Sequence, residues 1–200
     1  MMNIYIAPRG FDPQSGNNGS ASVYALLGHT FRACYGGDLP EIKKTSNGKP
    51  FFPERPEIFF SLSHSKTHVA CALSPCPVGV DIESPRGISE RAVRYFCSDE
   101  ELALFDPLDL WVLKESYIKL IGGTLASVKH LRFSRLGGRI VTADENVFSR
   151  LYAVDGCRAA ASCLGGNPPE SVELIMRSSD FTTPVGDCGR PQAAPTMRNL

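Results

Sequence analysis

Two carboxylates stand two residues apart in VGVDIE, an apolar stretch at residues 78–83. The Val and Ile residues around Asp81 and Glu83 predict a β-strand. Successive side chains of a strand lie on opposite faces, so the two acids share one face and Val80 and Ile82 share the other. Two neighbouring carboxylates repel each other unless water screens them or a cation lies between them. The pattern therefore fits a solvated strand face, which is the commoner case, or part of a metal site.

A second charged group lies in WVLKESYIKL at residues 111–120, whose apolar spacing predicts a helix. Residues three or four positions apart share a helix face, which places Glu115 and Lys119 beside each other and near Trp111. On a solvated surface the Glu115–Lys119 pair would be a salt bridge worth only about 0.3–0.5 kcal/mol. The helix also has much apolar surface to bury, and a charged pair beside such a surface favours a functional site.

Together the predicted strand and helix offer three carboxylates, Asp81, Glu83 and Glu115. Three hard oxygen donors suit Mg²⁺, which keeps several waters and favours phosphate oxygens as its remaining ligands. Lys114 and Lys119, on the same helix, could then neutralise phosphate charge. This set predicts a site where a metal ion and a phosphate group meet.

Two further motifs contain groups that bind anions. Ser63 and His64, in FFSLSHS, stand at a predicted strand end, where a hydroxyl and an imidazole are free to bind an anion. Ordinary turn chemistry with an exposed histidine explains them equally well. In NGKP, Lys49 follows a turn-forming Asn-Gly pair and precedes the rigid Pro50, and a plain surface lysine is the simpler explanation.

The elements that must position these residues predict an α+β protein. In chain order the pattern predicts a strand at 3–7, a helix at 21–35, a hairpin within 58–74, a strand at 76–83, helices at 88–96 and 110–121, and further strands within 130–177. Asp109 can cap the longer helix, and Gly122–Gly123 can end it. A strand, a helix and more strands thus occur twice, which predicts two α+β halves, 1–76 and 77–177. Residues 178–200, rich in Pro, Gly and Thr, are expected to be a loosely held tail.

Length and composition narrow the class of protein. With 200 residues, 42% of them hydrophobic, the chain is long enough for a real core. Lys plus Arg and Asp plus Glu both number 21, and this neutral balance argues against a nucleic-acid or membrane-surface partner. Seven cysteines without a CxxC pair favour reduced thiols. No segment approaches the roughly 18–20 apolar residues of a membrane helix, and the start, MMNIYIAPRGFD, lacks a signal-peptide pattern, so we expect a cytoplasmic protein.

The order and spacing of the four motifs resemble the 4′-phosphopantetheinyl transferase superfamily. The matching stretches are GKP at 48–50, FFSLSHS at 59–65, GVDIE at 79–83 and WVLKESYIKLIGGTL at 111–125. The last two are the specific ones, and the resemblance covers the chain from about Ala25 to Leu164. It points to the longer members, which activate nonribosomal peptide and polyketide synthases.

The resemblance implies a fold, a reaction and its partners. Long members of the family are single chains of two similar α+β halves, related by a pseudo-twofold axis, with the active site between them. They move the 4′-phosphopantetheine arm of coenzyme A to a serine of an apo acyl or peptidyl carrier protein, with Mg²⁺ or Mn²⁺, and release adenosine 3′,5′-bisphosphate. A fused chain of this kind is expected to be a monomer, with neither nucleic acid nor membrane as a partner.

The resemblance also implies roles for single residues. Asp81, Glu83 and Glu115 would hold the metal ion, and Lys119 would contact the pyrophosphate of coenzyme A. Asp81, Glu115 and Lys119 are therefore the expected catalytic residues, with Glu115 as the candidate base for the serine proton. Lys49 would lie near the nucleotide 3′-phosphate. The full set of expected coenzyme A contacts is Lys49, Pro50, Ser63, His64, Lys114 and Lys119.

The N-terminal part of the chain departs from the long members. They usually carry an Arg just before the LLG-like helix segment, whereas Tyr24 and Ala25 stand there in this chain. Arg9 is the only basic residue before His29. We therefore expect weak coenzyme A binding, or compensation by basic residues elsewhere. The candidates for compensation are Lys43, Lys44 and Arg32.

Two other functions are compatible with the motifs. A Mg²⁺-dependent nuclease also combines two acids and a lysine, but the neutral net charge disfavours nucleic-acid binding. A carrier-binding module without catalytic turnover would explain the scarcity of basic residues near the N-terminus. The intact set of acids favours a working enzyme, because repelling carboxylates without a metal tend to cost stability.

Overall fold

Residues 1–182 are the part of the chain that the computed structural model describes. The strands are β1 (Asn3–Pro8), β2 (Lys43–Lys44), β3 (Pro50–Phe51), β4 (Phe59–His64), β5 (His68–Ser74), β6 (Val78–Glu83), β7 (Ser134–Leu136), β8 (Arg139–Val141), β9 (Val147–Val154), β10 (Cys157–Leu164) and β11 (Glu173–Leu174). The helices are α1 (Gly19–Tyr35), α2 (Glu90–Phe96), α3 (Asp99–Leu102) and α4 (Pro107–Ile121), with 3₁₀ helices at Leu125–His130 and Ser178–Thr182. This content confirms a mixed α+β protein. The predicted tail lies outside the described residues from position 183 onward.

The first sheet has the strand order β11-β1-β5-β4. β4 and β5 form the predicted hairpin, and β1 runs antiparallel to β5, with Ile4 opposite Ala72. The strand expected near residue 173 is only two residues long, and it joins this sheet by pairing parallel with β1. Helix α1 covers one face of the sheet, where its residues Leu26 and Leu27 are fully buried.

The second sheet has the order β6-β10-β9-β8-β7, with all of its neighbours antiparallel. Asp81 on β6 lies opposite Ala160 on β10. Helix α4 covers one face, and its residues Leu113 and Ile118 share a core with Ala160. In both sheets, the strand before the covering helix pairs with the second strand of the hairpin after it: β1 with β5, and β6 with β10.

The faces of the two sheets that α1 and α4 leave uncovered pack against each other. Ile4 and Ala72 from the first sheet share one core with Val80 and Ile82 from β6. The predicted alternation of β6 is therefore confirmed, because its aliphatic residues lie between the sheets and its acids lie on the side of α4. Burial on both sides explains why a strand with two carboxylates also carries four apolar or glycine positions.

Serine side chains join the two sheets where the edge strands β4 and β6 meet. Ser61 Oγ accepts a hydrogen bond from the Val80 amide at 3.0 Å, and Ser63 Oγ accepts one from the Ile82 amide at 3.3 Å. Both serines face β6 because they are two residues apart on a strand. The SLSHS motif thus has a structural role, since its hydroxyls satisfy buried amides of the neighbouring sheet.

Helix α4 begins earlier than the sequence predicts. Asp106 is its N-cap and accepts a hydrogen bond from the Leu108 amide at 2.9 Å, so the assignment of the cap to Asp109 was wrong. Pro107 at the first helical position explains the difference, because its fixed φ and missing N–H suit that position. At the other end Gly122 has a φ of 66°, a left-handed cap as predicted.

Among residues 1–182, no helix is both long and apolar enough to cross a membrane.

Candidate functional site

The acids of β6 lie against α4 because a glycine allows the strand and the helix to approach closely. An ideal Cβ atom on Gly79 would lie 2.0 Å from the Ser116 carbonyl oxygen and 2.4 Å from the Leu120 amide nitrogen. Any larger residue would collide with the helix backbone. The glycine of GVDIE therefore sets the distance from Asp81 and Glu83 to the α4 side chains.

Asp81, Ser63 and Lys119 form a hydrogen-bonded cluster at the junction of β4, β6 and α4. Ser63 Oγ donates to Asp81 Oδ1 at 2.7 Å. The Lys119 ammonium donates to Asp81 Oδ1 at 2.7 Å and to Ser63 Oγ at 2.8 Å. Asp81 is only 5% exposed, so its carboxylate depends on these partners for compensation of its charge. Three predicted site residues, distant in sequence, are thus brought together.

The second carboxylate oxygen of Asp81, Oδ2, is buried and has no hydrogen-bond partner within residues 1–182. Buried polar atoms almost always have a partner in folded proteins, and a lone one calls for a functional explanation. An ionised carboxylate oxygen has no hydrogen to donate, so its partner must be a hydrogen-bond donor or a cation. This atom is the strongest sign of a cation site in the cluster.

Glu83 and Glu115 complete the acidic group. Glu83 Oε1 accepts hydrogen bonds from the Trp111 indole and the Arg86 guanidinium, both at 3.1 Å. The pKa of Glu115 is raised to about 7: burial is the largest cause, the charges of Asp81 and Glu83 also raise it, and Lys119 opposes the rise. Glu115 therefore feels the charge of both other acids.

The chemistry of these groups fits a hard divalent cation. The groups that could bind it are carboxylate oxygens, and one of these, Asp81 Oδ2, is buried without a partner. A cation among the acids would also reduce the repulsion between the carboxylates. As the side chains stand, no three His, Cys, Asp or Glu residues in the stretch 1–182 converge closely enough to hold a metal ion. The Lys119 ammonium is the cation nearest to Asp81 in this arrangement.

A cavity of about 340 Å³ lies between the start of α1, residues 44–50, β4 and the end of α4. Its lining includes Lys44, Lys49, Lys119 and His64, and none of its lining residues is acidic. Tyr24 on α1 also lines it and is 38% exposed. A concave site with several cations and no carboxylate suits a ligand with more than one negative charge.

Lys49 and Pro50, two of the expected coenzyme A contacts, both line this cavity, but the Lys49 ammonium is already occupied by backbone groups. It donates to the Leu120 carbonyl at the end of α4 and to the Val78 carbonyl at 3.4 Å. Burial lowers the pKa of Lys49. The residue thus ties the 44–50 segment to α4 and also places positive charge in the wall of the cavity.

Lys114 does not face the site, which corrects the prediction that it contacts coenzyme A. Its side chain is fully buried, and its ammonium lies 2.9 Å from Glu101 Oε2 and donates to the Leu131 carbonyl at 2.9 Å. Glu101 in turn accepts a hydrogen bond from the Phe133 amide at 2.9 Å. The lysine therefore stabilises the core behind α4. Helical spacing predicts where Lys114 lies on α4, but it does not predict the buried partner Glu101, which is 13 residues away in the chain.

His64 lies exposed on the cavity wall, and its neighbour is a residue for which the motifs gave no site role. Arg9 Nη2 lies 3.4 Å from His64 Nδ1. The two residues are 55 positions apart, so no local pattern in the sequence could predict the contact. The only available signal was the scarcity of other basic residues upstream of His29.

Residues 77–148 match the family model of the 4′-phosphopantetheinyl transferase superfamily. The chain is 30% identical to 4′-phosphopantetheinyl transferase Sfp of Bacillus subtilis (strain 168), over 64% of this chain and 65% of that protein. A 4′-phosphopantetheinyl transferase of Bacillus subtilis is 36% identical over 58% and 59%, and psf-1 of Bacillus pumilus is 35% identical over 48% and 47%. The chain thus spans about half to two thirds of the length of these relatives. The matches confirm the resemblance predicted from the motifs.

Proposed function

We infer that this chain, as a relative of the 4′-phosphopantetheinyl transferases, is a holo-acyl-carrier-protein synthase. It transfers the 4′-phosphopantetheine arm of coenzyme A to a serine of an apo acyl or peptidyl carrier protein. One observation carries the proposal: Lys119 belongs both to the cluster of carboxylates and to the lining of the cationic cavity. A phosphate bound in the cavity would therefore lie next to the acids that the reaction needs.

The reaction is a substitution at phosphorus. The carrier serine oxygen forms a bond to the β-phosphate of coenzyme A, and the bond from that phosphorus to the bridging oxygen breaks. The bridging oxygen leaves with the nucleotide as adenosine 3′,5′-bisphosphate. Lys119 stabilises the negative charge of the transferring phosphoryl group, and His64 binds phosphate oxygens. Ser63 donates its one hydroxyl hydrogen to Asp81 and so positions that carboxylate.

Asp81, Glu83 and Glu115 would hold Mg²⁺, or Mn²⁺ in its place. When bound, this ion supplies positive charge that stabilises phosphoryl oxygens. The buried and unpartnered Oδ2 of Asp81 supports this assignment. The seryl proton passes to Glu115, directly or through a water.

The matching topology of the two sheets supports a pseudo-twofold relation between the halves 1–76 and 77–177. The site then lies between the halves, where β4 meets β6 and α4. Because one chain supplies both halves, no partner subunit is needed to complete the site, and we propose that the protein is a monomer. Carrier protein and coenzyme A are its partners.

Mass spectrometry of an apo carrier protein tests the proposal. With coenzyme A and Mg²⁺, the carrier should gain the mass of one phosphopantetheinyl group, and removal of divalent metal with a chelator should stop the gain. Asp81→Asn keeps the size of the side chain but removes its charge, and it should abolish transfer while the thermal unfolding midpoint is retained. Full activity of Asp81→Asn would contradict the role given to the cluster.

The same experiment separates the alternative functions. A protein that binds the apo carrier but modifies no carrier class would be a non-catalytic binding module. Mg²⁺-dependent cleavage of DNA or RNA, without any carrier modification, would instead support the nuclease.

A further inference from the structure

The side chain of Arg9 is held in place from three directions. Its backbone amide donates to the Thr67 carbonyl at 2.8 Å, which fixes the residue beside the β4–β5 turn. Its guanidinium packs against Gly19, the first residue of α1, where an ideal Cβ would come within 2.5 Å of Nη2 and 2.9 Å of Cζ. Gly19 thus leaves space that the guanidinium occupies. The third contact is with His64.

This position is costly for an arginine. Its Nε atom is buried and has no hydrogen-bond partner among the described residues. A buried donor without a partner generally costs about 1–3 kcal/mol. Unsatisfied groups of this kind are rare, and each calls for an explanation. The contact at the other end of the side chain offers one.

The contact between Arg9 and His64 determines where the imidazole carries its proton. A guanidinium only donates hydrogen bonds, so His64 Nδ1 must accept the bond from Arg9 Nη2. A histidine that accepts at Nδ1 carries its proton on Nε2, because a neutral imidazole has one donor and one acceptor nitrogen. His64 is exposed on the wall of the cationic cavity, whereas Arg9 is not one of the cavity's lining residues.

We propose that Arg9 is a positioning residue that holds His64 as an Nε2–H donor for a phosphate group of the bound nucleotide. The inference rests on the proposed function, which supplies coenzyme A as the ligand. Arg9 acts through His64 and does not itself line the cavity.

A double-mutant cycle with calorimetry tests this role, with adenosine 3′,5′-bisphosphate as the probe. Arg9→Met and His64→Ala should each weaken binding about tenfold, the effect of losing one hydrogen bond to a charged group. The double variant should be no weaker than either single variant. The matched control is Arg94→Met, which changes an exposed arginine on α2 and should leave binding unchanged. If Arg9→Met weakens binding equally when His64 is already Ala, Arg9 acts without His64 and the proposal is wrong.

The ¹⁵N resonances of the His64 ring give a second measurement that needs neither ligand nor turnover. They should show an Nε2–H tautomer in the unsubstituted protein and a mixture of tautomers in Arg9→Met. An unchanged ring spectrum would overturn the proposal. Because Arg9→Met removes an unsatisfied donor, its unfolding midpoint should not fall. Failure of the unsubstituted protein to bind adenosine 3′,5′-bisphosphate would instead count against the proposed function, and the ring spectrum would still test the contact.

Discussion

At the scale of single residues, the Lys119 ammonium interacts with more than one carboxylate. Lys119 lies 2.7 Å from Asp81 and also lowers the pKa of Glu115, whose burial and neighbours raise it. Arg86 pairs with Glu83, so Lys119 alone faces both Asp81 and Glu115. The acids therefore lie beside a cavity whose charged lining residues are cationic.

Glu115→Gln tests the role of Glu115 in turnover. The amide keeps the shape of the side chain but neither accepts the seryl proton nor contributes a charged ligand. We expect kcat for carrier modification to fall by about 10²–10⁴-fold, the usual contribution of a general base. Binding of adenosine 3′,5′-bisphosphate should be nearly unchanged. Glu90→Gln, at an exposed position of α2, is the control, and an unchanged kcat in Glu115→Gln would refute the assignment.

Tyr24, near the LLG segment of α1, presents a partly exposed ring to the cavity. An aromatic ring binds a planar base by stacking, which is worth about 1–3 kcal/mol per base. Tyr24→Ala should therefore weaken binding of adenosine 3′,5′-bisphosphate at least severalfold, and Tyr24→Phe should retain it. Isothermal titration gives both values, with Tyr95→Ala on α2 as the control. Equal losses for Ala and Phe would point to the hydroxyl group instead.

Lys114 contributes to the stability of the fold rather than to the candidate site. Lys114→Met leaves Glu101 buried without its cationic partner, and removing one partner of such a pair costs about 3–5 kcal/mol. Urea denaturation should show this loss in the free energy of unfolding. Lys129→Met, at an exposed lysine, should change it little. A loss as small as that of the control would mean that the buried pair contributes nothing.

At the scale of the elements, the site depends on how closely α4 approaches β6. Gly79→Ala places a methyl group 2.0 Å from the Ser116 carbonyl oxygen, so the helix must move away from the strand. We expect a lower unfolding midpoint and a strong loss of transfer, because the acids of β6 lose their register with Glu115 and Lys119. Circular dichroism melts and the carrier assay measure the two effects.

Gly28→Ala provides the matched control for that substitution. Gly28 lies inside α1, and no atom outside its own neighbours and the helix backbone lies within 4 Å of the added Cβ. Alanine inside a helix is favoured over glycine by about 0.5–1 kcal/mol. Gly28→Ala should therefore keep or raise the unfolding midpoint. If Gly79→Ala behaved in the same way, the close approach of β6 and α4 would not matter.

The elements also show which parts of the site the sequence could predict. The period of two in VGVDIE placed Asp81 and Glu83 on one face, and helical spacing placed Glu115 and Lys119 together. These are local rules, and the structure follows them. The partners of Lys114 and His64 could not be predicted, because each contact joins segments whose proximity depends on the packing of whole elements. Spacing shows which face a residue occupies, but it does not show what covers that face.

At the scale of the whole molecule, the net charge is zero, but the acidic and basic side chains near the site are spatially separated. Lys plus Arg and Asp plus Glu are equal in number, so the net charge gives no sign of a charged partner. It also gave no sign of the cavity, where cationic side chains gather without an acid among the lining residues. The two sheets make this separation possible, because the acids lie on β6 and α4 while α1, β4 and residues 44–50 supply the remaining walls.

The shared ammonium of Lys119 has a thermodynamic consequence. While Lys119 is bound to Asp81, it is only partly available to an anion in the cavity. A divalent cation that neutralises Asp81 would release Lys119, and anion affinity would then rise. Coupling between two sites is reciprocal, so the nucleotide must raise the affinity for the cation by the same factor. Titrating adenosine 3′,5′-bisphosphate with and without Mg²⁺, and Mg²⁺ with and without the nucleotide, should give equal ratios above one. In Lys119→Met the coupling through this residue should disappear.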